Sequence, residues 1–424
     1  MEDIQINIKE GIKLHIIPND IYKTNLIRIV FTTPAKYENI TKTAMLPLVL
    51  QRGSMNYPTQ EIINTRLEEL FGAELIGNID KKGDLQTITF DADFVKDKFI
   101  PNNENLSKEV FDLVFDVVLN PLVENDGFKE SYVENEKEKL KKIINQLIDD
   151  KDAYSYYCCI HEMFGDNGFG LYQMGIESEV DKINSKELYA FYKQFIDSAK
   201  IDIFISGEID QDRITSYIKE KTKDLNERKF DAIELVSTIS PKKVDKPDEV
   251  FQSLDIIQGK LVLGCQVDYK KEDKNYVGLV YNTLLGASAS SLLFQNVREK
   301  ASLAYYVISR YIEIKDLLFI RGGIEIKNYK KALELIKKQL EILENGDFSQ
   351  ENIDDAKTTI YSNLRSTPES QEASINYYYM QEFYAQKDTI DSLIKKVEKV
   401  TKDEIIEFAK SVKISIIYFL KDNK

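Results

Sequence analysis

The sequence contains few of the residues that bind transition metals or form covalent cross-links. Its 424 residues include two histidines, three cysteines and no tryptophan. His15 and His161 lie 146 positions apart, so they cannot form a two-histidine zinc motif on one helix. Cys158 and Cys159 are adjacent and Cys265 is isolated, which excludes a C-x-x-C zinc ribbon and a disulfide framework. The sequence therefore predicts neither a bound metal nor a cofactor.

Positive charge is scarce relative to negative charge. The chain has 57 lysines and arginines against 71 aspartates and glutamates, which gives a net charge of −14 and a pI near 5.0. Such a chain is poorly suited to bind nucleic-acid phosphates or an anionic membrane surface. No apolar run approaches the roughly 18 residues of a membrane span, and the acidic N-terminal residues lack the apolar region of a secretory signal. We therefore expect a cytoplasmic protein with no nucleic-acid or membrane partner.

The sequence is 43% hydrophobic, which is enough for a large core, and its apolar residues are regularly spaced. In the first half, alternation predicts strands at 13–19, 27–34, 85–93 and 201–206. Helical spacing predicts one helix that begins after Thr59 as its N-cap, and further helices at about 106–119, 128–149, 153–164 and 185–196. This order is typical of an α+β fold.

The second half of the chain repeats this order of elements. The offset between equivalent positions shrinks slowly, from 232 residues at Asp84 to 213 residues at Ile201. We interpret the repeat as a tandem duplication of two homologous domains, 1–225 and 251–424, joined by a linker at 226–250. Each domain is predicted to contain a mixed, mostly antiparallel sheet with helices packed on one face.

Two tyrosine clusters occupy equivalent places in the two halves. The first is YSYY at 154–157 and the second is YYY at 377–379. Aromatic side chains at helical spacing mostly pack against neighbouring elements, so we expect these clusters to serve packing between helices or domains. The histidines His15 and His161 are interpreted in the same way, as structural residues.

Two segments carry a resemblance to a known family. The segment MLPLVLQRGS at 45–54 resembles the zinc-motif region of the pitrilysin/insulinase metallopeptidases, and LFQNVREKASLAY at 293–305 is similar to the signature of their second domain. The duplication covers the whole chain and matches the two homologous domains of that family. The resemblance implies a clam-like, metallopeptidase-type chamber.

The zinc motif itself is absent from the resembling segment. Active members of the family use an inverted H-x-x-E-H helix with a distal glutamate, in which two imidazoles hold Zn²⁺ and a glutamate activates water. Alignment places Ala44, Pro47 and Leu48 at the three motif positions and Ile143 at the distal ligand position. Shifted registers would instead place Glu134 or Glu138 there, and we interpret both as solvated. The sequence predicts no zinc hydrolysis by this chain alone.

The second half of the family's active site is retained. The resemblance implies that Arg298 and Tyr305 match an arginine and a tyrosine that bind the substrate carbonyl and stabilise the oxyanion. It also implies a partner, because some members divide the zinc motif and the Arg/Tyr pair between two chains. We therefore expect a non-catalytic subunit that pairs with a zinc-bearing paralogue, or associates with itself, and binds peptide. The alternative is a structural or peptide-binding scaffold in which Arg298 and Tyr305 have no part in catalysis.

Overall fold

The computed structural model describes residues 2–101, 105–242 and 246–423, which form two compact units. The first unit comprises Met1–Gln146, Asn167–Thr238 and Pro368–Ala385. The second unit comprises Leu147–Asp166, Ile239–Thr367 and Gln386–Lys424. Each unit therefore takes one segment from the opposite half of the sequence.

The strands and helices follow the order predicted for a duplicated α+β chain. The strands are β1 (Ile4–Lys9), β2 (Ile12–Pro18), β3 (Thr24–Pro34), β4 (Glu74–Lys82), β5 (Leu85–Val95), β6 (Val123–Glu124), β7 (Gly127–Phe128), β8 (Lys200–Gly207), β9 (Asp248–Ser253), β10 (Gly259–Val267), β11 (Ala304–Ile312), β12 (Leu317–Ile324) and β13 (Val412–Lys421). The helices are α1 (Tyr37–Leu50), α2 (Gln60–Glu69), α3 (Leu106–Leu119), α4 (Glu130–Gln146), α5 (Lys151–Phe164), α6 (Glu177–Val180), α7 (Ser185–Ser198), α8 (Gln211–Lys221), α9 (Ala232–Leu235), α10 (Lys274–Leu285), α11 (Tyr329–Asn345), α12 (Gln350–Ser366), α13 (Gln371–Met380), α14 (Ile390–Lys399) and α15 (Lys402–Ser411).

The two large sheets have the same topology. The sheet of the first unit has the strand order β4-β5-β3-β8-β2-β1, and that of the second unit has the order β11-β12-β10-β13-β9. In both sheets all neighbours are antiparallel except one pair, β2 with β8 and β9 with β13. Two sheets that share strand order and the position of a single parallel pair support the duplication, and the predicted α+β class with a mostly antiparallel sheet in each repeat is confirmed.

The sequence break between the units follows Thr238, inside the stretch 226–250 that the sequence predicts as a linker. This stretch contains α9 and the start of β9. Its residues 243–245 lie outside the described residues. The predicted boundaries 1–225 and 251–424 describe the repeat in sequence and stay a prediction. The compact units differ from them because each unit is discontinuous.

The segments that the halves exchange are equivalent to each other. Helix α5 belongs to the second unit, where it packs against β10 and β13, and helix α13 belongs to the first unit, where it packs against β8. We call α5 and α13 the exchanged helices. Both tyrosine clusters lie on them: the ring of Tyr156 packs edge-on against Phe319 at 5.0 Å, and that of Tyr379 packs against Phe204 at 5.9 Å. The clusters serve packing, as the sequence indicated.

Each exchanged helix covers the face of its sheet that points away from the main apolar core. In β8, Ile201, Ile203 and Ile205 face the main apolar core of the first unit. The alternate residues Lys200, Asp202, Phe204 and Ser206 face the other way, yet all eight positions of the strand are buried. A strand that is buried on both faces needs a second covering layer. Helix α13 supplies that layer in the first unit.

Helix α5 approaches its sheet closely. A Cβ atom at Gly264 on β10 would lie only 2.6 Å from the sulfur of Met163 on α5, so the glycine makes room for the helix. The N-terminus of α5 is capped by Asp150, whose side chain accepts hydrogen bonds from the backbone N–H groups of Asp152 and Ala153. The capping residue Asp150 thus marks where this helix begins, and Gly264 marks the sheet against which it packs.

Candidate functional site

The positions that correspond to the zinc motif lie on two packed helices of the first unit. Ala44 and Pro47 are buried within α1, Leu48 is half-buried there, and Ile143 is half-buried on α4, against which α1 packs. Ala44 and Leu48 have the one-turn spacing that would place two ligands on one face of the helix. None of the four side chains carries an atom that can ligate a metal or accept a proton, so the residues present do not fit a zinc ion.

Packing between α1 and β4 occupies this region instead. Pro47 lies inside α1 and has no backbone N–H, and the Gln51 amide one turn later donates to the Pro47 carbonyl at 2.8 Å. The Oε1 atom of Gln51 accepts a hydrogen bond from the backbone N–H of Gly77 on β4 at 3.0 Å. A Cβ at Gly77 would lie 2.5 Å from Nε2 of Gln51. One glutamine side chain therefore joins the helix to the edge strand, and glycine makes room for it.

The acidic residues of α4 are engaged in ion pairs. Glu134 pairs with Lys137 at 3.0 Å and Glu138 with Lys141 at 3.2 Å, and both glutamates are more than half exposed. The glutamates expected to be solvated are therefore on the solvent face. Glu136 is different, because its buried carboxylate lies 3.6 Å from Nε of Arg52. This charge is paired rather than directed at a metal.

Among the described residues, only one group of three or more histidine, cysteine or acidic side chains is close enough to share an ion. It consists of His15, Asp202 and Glu382 and lies on the polar face of the first sheet, not at the motif positions. Sequence reasoning missed this group because Glu382 is separated from its salt-bridge partner Lys13 by 369 positions. The one available signal was the alternation of charged and apolar residues at 200–205.

Arg298 lies on a π-helical segment, Phe294–Lys300, where the sequence predicts an ordinary helix at 292–300. The wider turn of a π-helix is rare and is often found at functional sites. The guanidinium carbon of Arg298 lies 4.5 Å from the centre of the Phe294 ring, and its Nε lies 3.8 Å from a carboxylate oxygen of Glu299. The side chain is 42% exposed, so part of the guanidinium is available to a ligand.

Tyr305 is the extra residue of a β-bulge at the start of the edge strand β11. In the pairing with β12, Ala304 lies opposite Ile324 and Tyr306 lies opposite Gly323, so Tyr305 has no partner residue. A bulge redirects a side chain out of the regular alternation. The Tyr305 side chain is 79% exposed, which is unusual for a large aromatic residue in a strand.

The turn between Arg298 and Tyr305 is fixed by the backbone. Ser302 has a φ of 50°, in the left-handed region, and its N–H donates to the carbonyl of Arg298 at 3.1 Å. The N–H of Leu303 donates to the carbonyl of Val297, also at 3.1 Å. A non-glycine residue held in this conformation is characteristic of tight or functional turns. The turn therefore keeps both side chains on one short, ordered segment of the second unit.

The neighbouring Tyr306 anchors the strand to the exchanged helix α5. Its hydroxyl donates to a carboxylate oxygen of Asp152, whose other oxygen lies 3.3 Å from Arg321. Burial, and then the hydrogen bond to Asp152, raise the pKa of Tyr306 above its usual value. Tyr306 is thus anchored by its hydrogen bond, whereas Tyr305, the preceding residue in the bulge, is exposed.

The segment 298–305 can donate hydrogen bonds but cannot perform hydrolysis. A guanidinium and a phenol O–H both donate to a carbonyl oxygen or to the negative charge that develops on it. Neither group holds a metal or deprotonates water at neutral pH. Each of these side chains can therefore donate to a carbonyl oxygen, but hydrolysis would need another group to activate water.

Comparisons with known proteins identify relatives along the whole chain. Residues 182–360 match the family model described as the peptidase M16 inactive domain. The chain is 33% identical over 412 residues to the probable inactive metalloprotease YmfF of Bacillus subtilis, and the match covers 97% of this chain and 96% of that protein.

Solved structures show the same fold along the entire chain. A conserved protein from Enterococcus faecalis superposes with a TM-score of 0.89 at 25% identity, covering 100% of this chain and 99% of the other. A peptidase M16 inactive domain from Pseudomonas fluorescens superposes with a TM-score of 0.80 at 15% identity, again with 100% and 99% coverage. Within the described part of the chain, no helix combines the length and the apolar character needed to cross a bilayer.

Proposed function

Because the chain belongs to the pitrilysin/insulinase (M16) family and is an inactive homologue of its metallopeptidases, we propose that it is the non-catalytic subunit of a two-chain peptidase. In this proposal it pairs with a zinc-bearing paralogue, binds the peptide substrate, and supplies Arg298 and Tyr305 to the shared site. The partner chain contributes the metal, which activates the attacking water.

The contrast between the two segments supports this proposal. The positions Ala44, Pro47 and Leu48 are apolar and packed, as in an ordinary core helix. Arg298 and Tyr305, in contrast, are exposed donors on a π-helical segment and a β-bulge, two irregular features that are frequent at functional sites.

The proposed chemistry follows from the donors. As water attacks the scissile carbonyl, negative charge develops on its oxygen, and hydrogen bonds from a guanidinium and a phenol strengthen as that charge grows. Removal of one such donor typically lowers kcat by about a hundredfold or more. Tyr305 would also orient the peptide through its ring.

Assembly is tested first. The chain is co-expressed with a zinc-bearing M16 paralogue encoded in the same genome, and the product is analysed by gel filtration with light scattering. The expected result is a one-to-one heterodimer that contains one zinc ion. Self-association without affinity for the paralogue would contradict the pairing.

Catalysis is then tested in the assembled complex with Arg298→Ala and Tyr305→Phe. We expect kcat for peptide cleavage to fall about a hundredfold in the Arg298 variant, the loss typical of a missing oxyanion donor. Arg310→Ala is the matched control, because Arg310 is an exposed arginine on β11, the strand that carries Tyr305. Full activity of Arg298→Ala in an intact heterodimer would contradict the donor role and favour the scaffold alternative.

A further inference from the structure

The polar face of the first sheet holds a buried cluster of charges that the proposed function does not use. Three carboxylates, Asp3, Asp202 and Glu382, have side chains that are no more than 4% exposed. The ammonium group of Lys200 lies 2.7 Å from Asp202 and 2.9 Å from Glu382, and that of Lys13 lies 2.7 Å from Glu382. Buried charges of this number require nearly complete mutual compensation.

His15 lies within this cluster between two carboxylates. Its Nδ1 is hydrogen-bonded to an oxygen of Asp3 at 2.8 Å, whereas its Nε2 lies 3.5 Å from an oxygen of Asp202 without making a hydrogen bond. The ring also stacks on Phe204 with centroids 4.1 Å apart, a favourable arrangement for a cationic ring. Two buried negative charges next to the ring favour its protonated form by their charge.

The charge balance leads to the same form. The three carboxylates outnumber the two ammonium groups by one, and a proton on His15 makes the cluster neutral. A metal ion is the other cation that His15, Asp202 and Glu382 could bind, since their ligand atoms lie within 4.8 Å of one another. The ammonium of Lys200, however, contacts both of these carboxylates and occupies the place of a metal ion.

We propose that His15 is a buried proton-binding site, and that release of its proton weakens the docking of the exchanged helix α13 on the first sheet. The link is Glu382, which follows α13 and contacts Lys200 and Lys13. When His15 is neutral, Asp202 and Glu382 share an uncompensated negative charge in a medium of low polarity, and they repel each other.

The pKa of His15 fits this account. Burial alone would lower it, but the interactions with Asp202 and Asp3 outweigh burial and raise the pKa above its ordinary value of 6.5. The other groups that face the cluster keep their usual charge: the pKa of Lys200 is raised, that of Asp202 is lowered, and Tyr379 on α13 has a raised pKa and stays neutral.

The direction of the pH effect follows from linkage. A histidine whose pKa is higher in the folded state stabilises that state fully at pH values below about 6.5, the pKa of the unfolded chain. The stabilisation decreases as the pH rises toward the pKa of the folded state. Over that interval the equilibrium constant for the detachment of α13 from the sheet is expected to increase roughly tenfold for each pH unit.

The protonation state can be read directly, because the chain has two histidines. His161→Gln leaves a single imidazole, and ¹⁵N NMR of the full-length variant distinguishes an imidazolium from either neutral tautomer. We expect the imidazolium to predominate at pH 6.5, the ordinary pKa of histidine, because the pKa of His15 is raised above that value. A predominantly neutral ring at pH 6.5 would overturn the proposal, and so would stoichiometric binding of Zn²⁺ to the cluster by calorimetry.

The coupling to α13 is tested by hydrogen exchange, corrected for the intrinsic effect of pH. Peptides that cover 371–380 are expected to lose protection, roughly tenfold per pH unit, above pH 6.5 in the wild-type chain and in His161→Gln. In Asp3→Asn, which removes the carboxylate at Nδ1, the folded-state pKa of His15 should fall, so the loss is expected to begin at the same pH but to level off at a lower pH. The same pH dependence in His15→Gln, or an unchanged extent of the loss in Asp3→Asn, would overturn the coupling. Asp3→Asn provides this test even if His15→Gln fails to fold.

Discussion

Individual carboxylates in this protein differ greatly in the number of cations and hydrogen-bond donors around them. Asp112 on α3 accepts hydrogen bonds from Lys108 at 2.6 Å and from the Tyr217 hydroxyl at 2.7 Å, and it also pairs with Lys221. Burial alone would raise the pKa of Asp112, but these three partners outweigh burial and lower it to about 2. The carboxylate therefore stays charged where most others become protonated.

The stability contributed by Asp112 is expected to disappear in acid. Because its pKa is lower in the folded chain, the contribution is present above about pH 3.9, the ordinary value for aspartate, and is lost as the pH falls toward 2. The difference in melting temperature between the wild-type chain and Asp112→Asn should therefore shrink between pH 5 and pH 3. Asp355→Asn, which changes an exposed aspartate, is the control. A difference that stays constant with pH would contradict the assignment.

Among the secondary-structure elements, α1 shows how packing fills the positions that the resemblance assigned to a zinc motif. The helix approaches β4 through Pro47, Gln51 and Gly77. Gln51 accepts a hydrogen bond from Gly77 on β4 and donates one to the carbonyl of Pro47 in α1. The geometry couples Gln51 and Gly77 directly, since a side chain at residue 77 would displace the glutamine amide.

Gly77→Ala is expected to lower the free energy of unfolding by about 1–2 kcal/mol, because the displaced amide loses its hydrogen bonds in a partly buried place. Urea unfolding of Gly77→Ala, Gln51→Ala and the double variant measures the coupling. The cost of Gly77→Ala should largely vanish in the Gln51→Ala background. Additive costs would show that the glycine is required for another reason.

Most helices and the inner strands were predictable from the sequence, whereas three of the four edge strands of the large sheets were not. The helix predicted at 106–119 matches α3, because its apolar face is dense and regular. The edge strand β11 was predicted, but the edge strands β1, β4 and β9 were missed. None of the residues in these three strands is fully buried, so their apolar positions give a weaker signal than those of a core strand.

The site was only partly predictable for a different reason. The family signature placed Arg298 and Tyr305 on a helix and a strand, and the structure adds the π-helical turn and the bulge that expose them. Neither irregularity changes the hydrophobic pattern. The His15 cluster depends on residues from three distant parts of the chain, and no local signal connects them.

For the molecule as a whole, the exchange of α5 and α13 makes the two halves interdependent. The fragment 1–238 lacks α13, and its polar sheet face would expose Arg28, Thr32 and Lys200, whose partners lie on or beside that helix. The fragment 239–424 likewise lacks α5. Neither half contains all of the residues of its own compact unit.

Each fragment is therefore expected to be poorly folded alone, and the two are expected to recover native structure when they are co-expressed. Circular dichroism and the sharpness of the thermal transition of separate and mixed fragments measure this. A chain that is split after residue 146 is a useful comparison, because this split also places α5 and the helices α1–α4 on different fragments. A cooperative native-like transition of 1–238 alone would contradict the interdependence.

The exchange also affects how the protein emerges from the ribosome. The first unit is not complete until residue 385 has been made, because α13 is encoded near the end of the chain. At about 5–20 residues per second, roughly ten seconds of synthesis separate residue 238 from the arrival of that helix. During this time the nascent sheet carries uncovered charged and aromatic groups, so translation speed and chaperone occupancy should govern the yield of this protein more than its final stability does.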